Sequence, residues 1–201
     1  MKHTLYYHRH ADQIVKSDSK FKDDYNELIA VIDSISDNDL IEAFNIRKTE
    51  RPNIKSLSEP INHLLKERLT SRDWISESPI FYDKVYRTPK KWRLDFVKNN
   101  IALEVAFNHG EAIAHNIMKP VISSELNHVQ KDIQTGMGVI ICATNDLKKA
   151  GNFDGAVGSF EKFIEHFKPY QNLIPTSIVL IGLNSPSTFI IDKDSKEIVY
   201  K

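Results

Sequence analysis

Two acidic residues stand inside an apolar, strand-like segment, "LDFVKNNIALEVAF", which covers residues 94–107. Asp95 precedes Glu104 by nine positions, and the turn-like "KNN" lies between them. Because side chains alternate along a strand, the hairpin that this pattern predicts can place Asp95 opposite Glu104. Two carboxylates that close repel each other unless a cation or a proton lies between them. The pair therefore indicates a site for a hard divalent cation such as Mg²⁺, which prefers oxygen ligands.

A basic segment leads directly into the acidic pair. From Lys84 to Arg93 the chain reads "KVYRTPKKWR", with five cations and no acid. Beside carboxylates that hold a metal, this charge favours a phosphate ester as substrate, because the metal polarises the ester and supplies a hydroxide. A solvated basic loop is the alternative for this segment. The two acids, in turn, could lie at strand ends in solvent or pair with Lys98 and Arg93.

Helices and buried strands surround the predicted hairpin. Apolar residues at helical spacing predict helices over 21–36, 58–72 (with Ser58 as N-cap), 111–131 (broken by Pro120) and 158–168. Continuous apolar runs predict strands at "GVIICAT" and "TSIVLIGL" that are covered on both faces. A hairpin is expected around "KDSK", and the N-terminal "HTLYYHRH" is expected to be an exposed end. The order of elements predicts an α/β domain with a mixed sheet between helices.

The composition is that of a globular protein of 201 residues, 41% hydrophobic and 27% charged, with zero formal net charge. Zero net charge argues against a nonspecific nucleic-acid coat but allows a local basic face. The chain has no apolar run long enough for a membrane span and no apolar signal core, so a cytoplasmic location is expected. The single cysteine, Cys142, fits a reducing compartment and is expected to be a small core residue.

The hairpin segment resembles a known active-site signature. Asp95, eight intervening residues and Glu104 resemble the D-x8-E-x-Q signature of BglII/BstYI-type type II restriction endonucleases, which belong to the PD-(D/E)XK nuclease superfamily. The resemblance covers about residues 20–185. "LLKERLTSRDWISES" is similar to the helix and Trp-containing turn ahead of the family's active site. "GVIICAT", "GSFEKF" and "PTSIVLIGL" match the later strand, helix and strand in order.

This resemblance implies Mg²⁺-dependent hydrolysis of phosphodiester bonds in double-stranded DNA. Asp95 and Glu104 become the metal ligands, with the backbone carbonyl of Val105 as a third, and water attacks the scissile phosphate in line. Glu59, near the start of the second predicted helix, matches a position where some relatives carry an acid. An auxiliary metal or water role follows for Glu59, and the alternative is a carboxylate that interacts favourably with the helix dipole.

The resemblance also implies an organisation and partners. The chain is expected to form a single restriction-endonuclease-like domain over 1–201, with an N-terminal helical part of about 20–72 and a catalytic core of about 80–185. Symmetric cutting of both strands at a near-palindromic site needs two equivalent active sites, so a homodimer is expected. A cognate DNA methyltransferase is expected in the same restriction–modification system, but not as a stable complex. No membrane partner is expected.

Ala106 departs from the family's pattern. Relatives carry Gln at this position, and the superfamily carries Lys, whereas a methyl group cannot orient a water or stabilise a phosphate. Three explanations are open. A polar group from elsewhere substitutes, with Asn108 on the same strand face as the first candidate and Lys98 or Lys119 as more distant ones. The site relies on metal-bound waters alone, or the chain is a weakened or inactive partner of a second subunit.

Two further segments match those that relatives use to contact DNA, "FNHGE" after the signature strand and "AGNFDGAVGS" before a later helix. Asn108 and His109 are then base readers, because Asn can bond to adenine and His can donate to guanine. The alternative is a simple turn. The second segment has small residues that let a backbone approach DNA, and it lacks the Walker lysine pattern of nucleotide hydrolases. The other candidate DNA contacts are Asn152, Asp154 and Ser159 for this second segment, and Lys90, Lys91 and Arg93 for backbone phosphates.

The sequence thus predicts a type II restriction endonuclease. A DNA-binding, catalytically silent subunit that acts with a partner nuclease chain is a second possibility, which Ala106 keeps open. A structure-specific repair nuclease is a third, and it would cut without regard to sequence. A zinc site could be drawn from His109, Glu111, His115 and His128, but neither paired Cys nor an H-E-x-x-H spacing supports it.

Overall fold

The computed structural model describes residues 1–87, 92–125 and 129–201 of the chain. The α-helices in these ranges are α1 (Ala11–Ser17), α2 (Ser19–Ser34), α3 (Asp37–Glu50), α4 (Ser58–Thr70), α5 (Lys84–Arg87), α6 (Ile113–Ser124), α7 (Asn145–Ala150) and α8 (Phe160–Tyr170), and a 3₁₀ helix spans Gly110–Ala112. The strands are β1 (His3–His8), β2 (Ile75–Pro79), β3 (Arg93–Lys98), β4 (Ile101–Val105), β5 (Met137–Ala143), β6 (Ile178–Leu183), β7 (Phe189–Ile191) and β8 (Ile198–Tyr200). None of these helices is long and apolar enough to cross a membrane.

One mixed sheet of six strands, in the order β1-β6-β5-β4-β3-β2, organises the fold. β4, β5 and β6 run parallel, whereas β1, β3 and β2 are antiparallel to their neighbours. Parallel neighbours need long crossover connections, which α6 supplies between β4 and β5, and α7 and α8 supply between β5 and β6. β7 and β8 form a separate hairpin around "KDSK". The predicted α/β class, with a mixed sheet between helices, is confirmed.

Apolar residues cover both faces of the sheet. A first cluster packs the four helices α1, α2, α3 and α4 on one face, and Leu28, Leu65 and Leu103 are among its buried members. A second cluster joins α6 and α8 to the other face, where Ile117 and Phe163 pack near strand residues of β5 and β6. Every residue of β5 and β6 is buried, as expected for strands that are covered twice. Cys142 is fully buried in the second cluster, which confirms it as a core residue.

The N-terminal segment is where the sequence-based expectation was wrong. "HTLYYH" is not an exposed end but β1, which pairs along its whole length with β6 and forms one edge strand of the sheet. His8, at the end of β1, is only 3% exposed, and its Nε2 lies 3.0 Å from the carbonyl oxygen of Ile174. The segment mixes His and Tyr with few aliphatic residues, so its place in the sheet depends on the fully apolar partner strand.

The bounds of the predicted helices also differ from the observed ones, most of all for α4 at its N-cap and for α6 at its end. The residue before the α4 helix, Leu57, occupies the N-cap position, and Ser58 is the first helical residue. α6 ends at Ser124 rather than at 131, and Pro120 lies inside it without ending it. Proline lacks a backbone N–H, so Pro120 removes one hydrogen bond from α6. The helix nevertheless continues past Pro120 while it packs on the sheet.

Candidate active site

The β3–β4 hairpin brings the two acidic residues together. Phe96 lies opposite Leu103 in the antiparallel pairing, and the tight turn uses Asn99 with a positive φ of 45°. One step further from the turn, the backbone N–H of Asp95 donates to Oε1 of Glu104 over 3.4 Å. The N–H of Val105 donates to Oδ2 of Asp95 over 2.7 Å. Each carboxylate is therefore held by the backbone of the opposite strand.

Burial governs the electrostatics of this pair. Glu104 is only 1% exposed. Burial, followed by the nearby charge of Asp95, raises the pKa of Glu104 well above its ordinary value, and Lys119 acts in the opposite direction. Burial also raises the pKa of Asp95, although Lys119 and the Val105 N–H oppose this shift. A further cation beside the two carboxylates would therefore stabilise their ionised forms.

Lys119 of α6 is the cation that contacts the pair. Its Nζ forms an ion pair with Oε2 of Glu104 and donates to the carbonyl oxygen of Arg93 over 2.9 Å. Lys119 is 8% exposed. Of the groups predicted to compensate for Ala106, Lys119 is the one that reaches Glu104.

The other two candidates for that role are engaged elsewhere. Asn108 forms an amide pair with Asn116 of α6, whose Nδ2 lies 2.8 Å from Oδ1 of Asn108. Lys98 lies at the turn end of the hairpin, where its Nζ is 2.7 Å from Oε1 of Glu27. Neither side chain makes a hydrogen bond or an ion pair with Asp95 or Glu104 within the ranges described.

A cleft of about 260 Å³ opens beside Asp95. Its lining also includes Asn62 and Lys66 of α4, Ser76 and Glu77 of β2, Phe96 and Val105. Glu77 has a positive φ of 55°, which is uncommon for a residue with a side chain, and its charge contributes to the raised pKa of Asp95. Sequence reasoning missed Glu77, although an acid inside the strand-like "ISESP" ahead of the hairpin was a usable signal.

The oxygen donors at this site suit a hard cation. Two carboxylates and the Val105 carbonyl, which accepts a long 3.3 Å bond from the Phe107 N–H, could hold Mg²⁺ together with water. Among the described residues, no three His, Cys, Asp or Glu side chains form a metal cluster. A magnesium ion accepts such a sparse protein set, because it retains several waters, whereas structural zinc requires four protein ligands.

The residues of the zinc alternative do not assemble in the part of the chain that is described. His109 Nδ1 lies 3.7 Å from a Glu111 carboxylate oxygen. The His115 ring instead packs against Trp92 in a tilted arrangement, with centroids 5.5 Å apart. His128 lies outside the described residues.

The predicted auxiliary acid, Glu59, lies away from this cleft. Its carboxylate pairs with Arg51 at 3.4 Å, and it lines a different depression, near Asn53 and Ser56. The basic segment is described only in part, since Lys90 and Lys91 lie outside the described residues. Arg93 donates through Nη1 to the carbonyl oxygen of Glu77 over 2.8 Å, at the entrance to β3.

The two segments expected to read DNA lie side by side. His109 forms an isolated antiparallel bridge with Val157, and the N–H of Gly158 donates to the Asn108 carbonyl over 3.1 Å. The His109 side chain is 58% exposed. The structure therefore joins "FNHGE" and "AGNFDGAVGS" into one surface, which we call the reading surface (residues 107–111 and 150–159).

Most polar side chains of the reading surface bond to the protein's own backbone. Asn152 donates to the Lys55 carbonyl over 2.8 Å, and Asp154 accepts from the Ala156 N–H over 2.8 Å. Ser159 is fully buried and caps α8 by accepting from the Lys162 N–H. His109 also accepts from a backbone N–H, that of Glu111, at Nδ1 over 3.3 Å, and its side chain is exposed.

Comparisons with known proteins identify the family and the fold of the chain. The model of the family described as restriction endonuclease BglII/BglIII matches residues 3–183. Among curated proteins, none matches the chain. Two solved structures share the fold. Restriction endonuclease BglII complexed with a DNA 16-mer is 18% identical with a TM-score of 0.67, over 99% of this chain and 87% of that chain. Free BglII is 15% identical with a TM-score of 0.60, over 99% of this chain and 91% of that one.

These comparisons confirm the resemblance that the sequence suggested and the restriction-endonuclease fold. At such low identities the two structures establish the fold, whereas the family match, which spans most of the chain, establishes membership. The chain belongs to the BglII/BglIII restriction endonuclease family and, with it, to the type II site-specific deoxyribonucleases.

Proposed function

We propose that the protein is a Mg²⁺-dependent endonuclease that hydrolyses phosphodiester bonds at a specific sequence in double-stranded DNA. The buried Asp95–Glu104 pair carries this proposal, because two carboxylates with raised pKa values in one hairpin favour a bound cation. Family membership supports DNA as the substrate, and one related structure is a complex with a DNA 16-mer.

Asp95, Glu104 and the Val105 carbonyl are the groups that would hold the metal. When bound, Mg²⁺ supplies Lewis acidity to the scissile phosphate and to the attacking water. The Val105 N–H keeps the Asp95 carboxylate in a fixed orientation. Glu77, on the neighbouring strand β2, adds negative charge to the same cleft, which increases the attraction for a divalent cation.

DNA is positioned by cations near the cleft and read by the exposed loops. Lys66 lines the cleft and Arg93 enters β3 beside it, so both suit backbone phosphates. Lys90 and Lys91 belong to the same basic segment and extend this role. His109 is the first candidate for a base contact, with Asn108, Asn152, Asp154 and Ser159 forming the surrounding reading surface.

The proposal includes a homodimer in a restriction–modification system. Two active sites related by a two-fold axis cut both strands of a near-palindromic sequence at equivalent positions. A cognate methyltransferase protects the same sequence as a separate enzyme, and the cytoplasm is the compartment in which both meet DNA. The single buried cysteine is compatible with such a reducing compartment.

A plasmid-nicking assay with Mg²⁺ tests the function. Wild type is compared with Asp95→Ala and Glu104→Ala, and Glu42→Ala, exposed on α3, is the matched control. We expect both site variants to lose about 10⁴-fold in rate, the scale for removal of a catalytic group, while the control cuts like wild type. Equal cutting by all four proteins would overturn the assignment. Sequencing the cut ends distinguishes a restriction enzyme from a repair nuclease, which would leave ends of unrelated sequence.

A silent DNA-binding subunit is the second candidate, and Ala106 is the observation that favours it. In that case the wild-type chain binds DNA but does not cut, and a Gln or Lys at position 106 restores cleavage. The packing around Ala106 argues against this candidate, because a site that needs a longer side chain at 106 would need space for it. Ala106 is 2% exposed and belongs to the second apolar cluster.

A further inference from the structure

Small residues allow α6 to lie close to the sheet beside the candidate active site. Ala106 packs in the second cluster with Ile113 and Ile117 of α6. On the next strand, a Cβ added to Gly138 would lie 2.6 Å from the Cβ of Pro120. Ala106 is itself only 2% exposed, so a long side chain at this position has little room beside α6.

The same close approach delivers Lys119 to the carboxylates. Lys119 precedes Pro120 in α6, and its ammonium reaches both Glu104 and the backbone of Arg93. A buried ammonium is costly unless it is paired, and a helix that only needed to pack would carry an apolar residue here. The missing group at 106 and the buried lysine at 119 thus occur at one place in the fold.

We propose that Lys119 is a catalytic residue that replaces the Gln or Lys side chain missing at Ala106. The inference rests on the proposed function. An ammonium has three donors, of which Glu104 and the Arg93 carbonyl take two among the described residues, and the third is available to a phosphate oxygen or to the attacking water. Lys119 as a whole is 8% exposed, so the residue is not completely enclosed.

In the reaction, water oxygen adds to the phosphorus while the bond from phosphorus to the leaving oxygen breaks. The bonding electron pair goes to the leaving oxygen, which takes up a proton from solvent, and the attacking water releases one proton to solvent. The products are one phosphate end and one hydroxyl end. Lys119 keeps its proton throughout and stabilises the negative charge that develops on the phosphate oxygens.

Three substitutions separate this role from simple neutralisation of Glu104. Lys119→Met keeps the length of the stem and removes the donors, Lys119→Gln keeps an uncharged donor like that of relatives, and Lys119→Arg keeps the charge. Lys98→Met is the matched control, because Lys98 is also a lysine paired with a glutamate, at the turn end of the same hairpin. Each protein is assayed for single-turnover cleavage of long genomic DNA, for Mn²⁺ affinity by calorimetry without DNA, and for melting temperature.

We expect Lys119→Met to lose about 100-fold or more in cleavage rate, as for removal of one donor to a transition-state oxyanion, while Mn²⁺ still binds. Lys119→Gln and Lys119→Arg should each cut faster than Lys119→Met, and Lys98→Met should cut like wild type.

If the wild type cuts DNA, two results would overturn this inference without overturning the proposed function. One is Lys119→Met cleaving at the wild-type rate. The other is a Lys119→Met protein that no longer cuts, no longer binds Mn²⁺ and melts at a lower temperature, together with a Lys119→Gln protein that is equally inactive. That combination would assign Lys119 a structural role. A wild type that binds Mn²⁺ but never cuts overturns the proposed function, and this inference falls with it.

Discussion

The two ends of the β3–β4 hairpin each pair a lysine with a glutamate, and the two pairs differ in how well the carboxylate is satisfied. At the turn end, Glu27 accepts from Nζ of Lys98 over 2.7 Å and from Nε1 of Trp74 over 2.8 Å. Burial alone would raise the pKa of Glu27, but these two hydrogen bonds and the charges of Lys98 and Arg72 together outweigh it, and the pKa falls below its ordinary value. At the open end, Glu104 pairs with Lys119, yet its pKa is raised well above the ordinary value by burial and by Asp95.

This difference separates a structural ion pair from a site that favours a ligand. The turn-end carboxylate has two donors and is partly exposed, with 31% of the Glu27 side chain accessible to solvent. The open end buries Glu104 beside a second acid, so one ammonium does not balance the charge. Perturbation by burial together with a specific like charge in a cleft is typical of functional sites. The open end is therefore where added metal should matter.

Metal-linked stabilisation gives the largest expected contrast between the two ends. At a free Mg²⁺ or Mn²⁺ concentration of about 1,000 times Kd, binding to the native state stabilises it by about 4.1 kcal/mol. We expect denaturant unfolding to show this gain in wild type and in Glu27→Gln, and to lose it in Glu104→Gln. A gain of the same size in Glu104→Gln would show that the metal binds elsewhere.

Ala106→Gln changes the open end without touching its charges. Overpacking a core and burying an amide without a partner each cost roughly 1–3 kcal/mol, so we expect a loss of about 3 kcal/mol or more in the free energy of unfolding. Cleavage should not rise, because Lys119 already supplies the donor. Urea unfolding and the nicking assay measure the two effects. An Ala106→Gln protein that is as stable as wild type and cuts much faster would instead favour the silent-subunit function.

Gly138→Ala tests the helix approach that joins Lys119 to Glu104. The added Cβ meets the Pro120 ring at 2.6 Å, and a proline ring cannot swing aside, so α6 must shift. We expect a loss of roughly 1–3 kcal/mol in stability, together with slower cleavage. Gly155→Ala is the control for stability, since its Cβ would have no neighbour within 4 Å. Unchanged stability and cleavage in Gly138→Ala would show that the position of α6 does not depend on a glycine at 138.

The contrast between the hairpin and α6 also explains what the sequence could predict. Asp95 and Glu104 belong to one local hairpin, whose period-two pattern and Asn99 turn are visible in a few residues. Lys119 comes from a helix whose position depends on Gly138 in a strand further along the chain. Sequence reasoning could name Lys119 as a candidate, but tertiary packing alone brings it to Glu104.

The same distinction applies to Glu77 and β1. Glu77 reaches the cleft through a positive φ that no sequence pattern assigns to glutamate. β1 was missed because its polar "HTLYYH" becomes a strand only by pairing with the buried β6. Elements fixed by local periodicity were predicted, whereas those fixed by a distant partner were not.

The smallest expected effect concerns the turn end. Because the folded pKa of Glu27 lies below its ordinary value of 4.5, Glu27 contributes stability above that pH, and the contribution is lost as pH falls through the folded pKa. Glu27→Gln should therefore be less stable than wild type by about 1 kcal/mol at pH 7, with the difference shrinking below about pH 4.5. Denaturant unfolding from pH 7 to pH 3 measures this. Glu50→Gln, which removes an exposed pair with Arg47, should show almost no difference at any pH. A Glu27→Gln curve parallel to wild type throughout would contradict the satisfied, structural ion pair at this end of the hairpin.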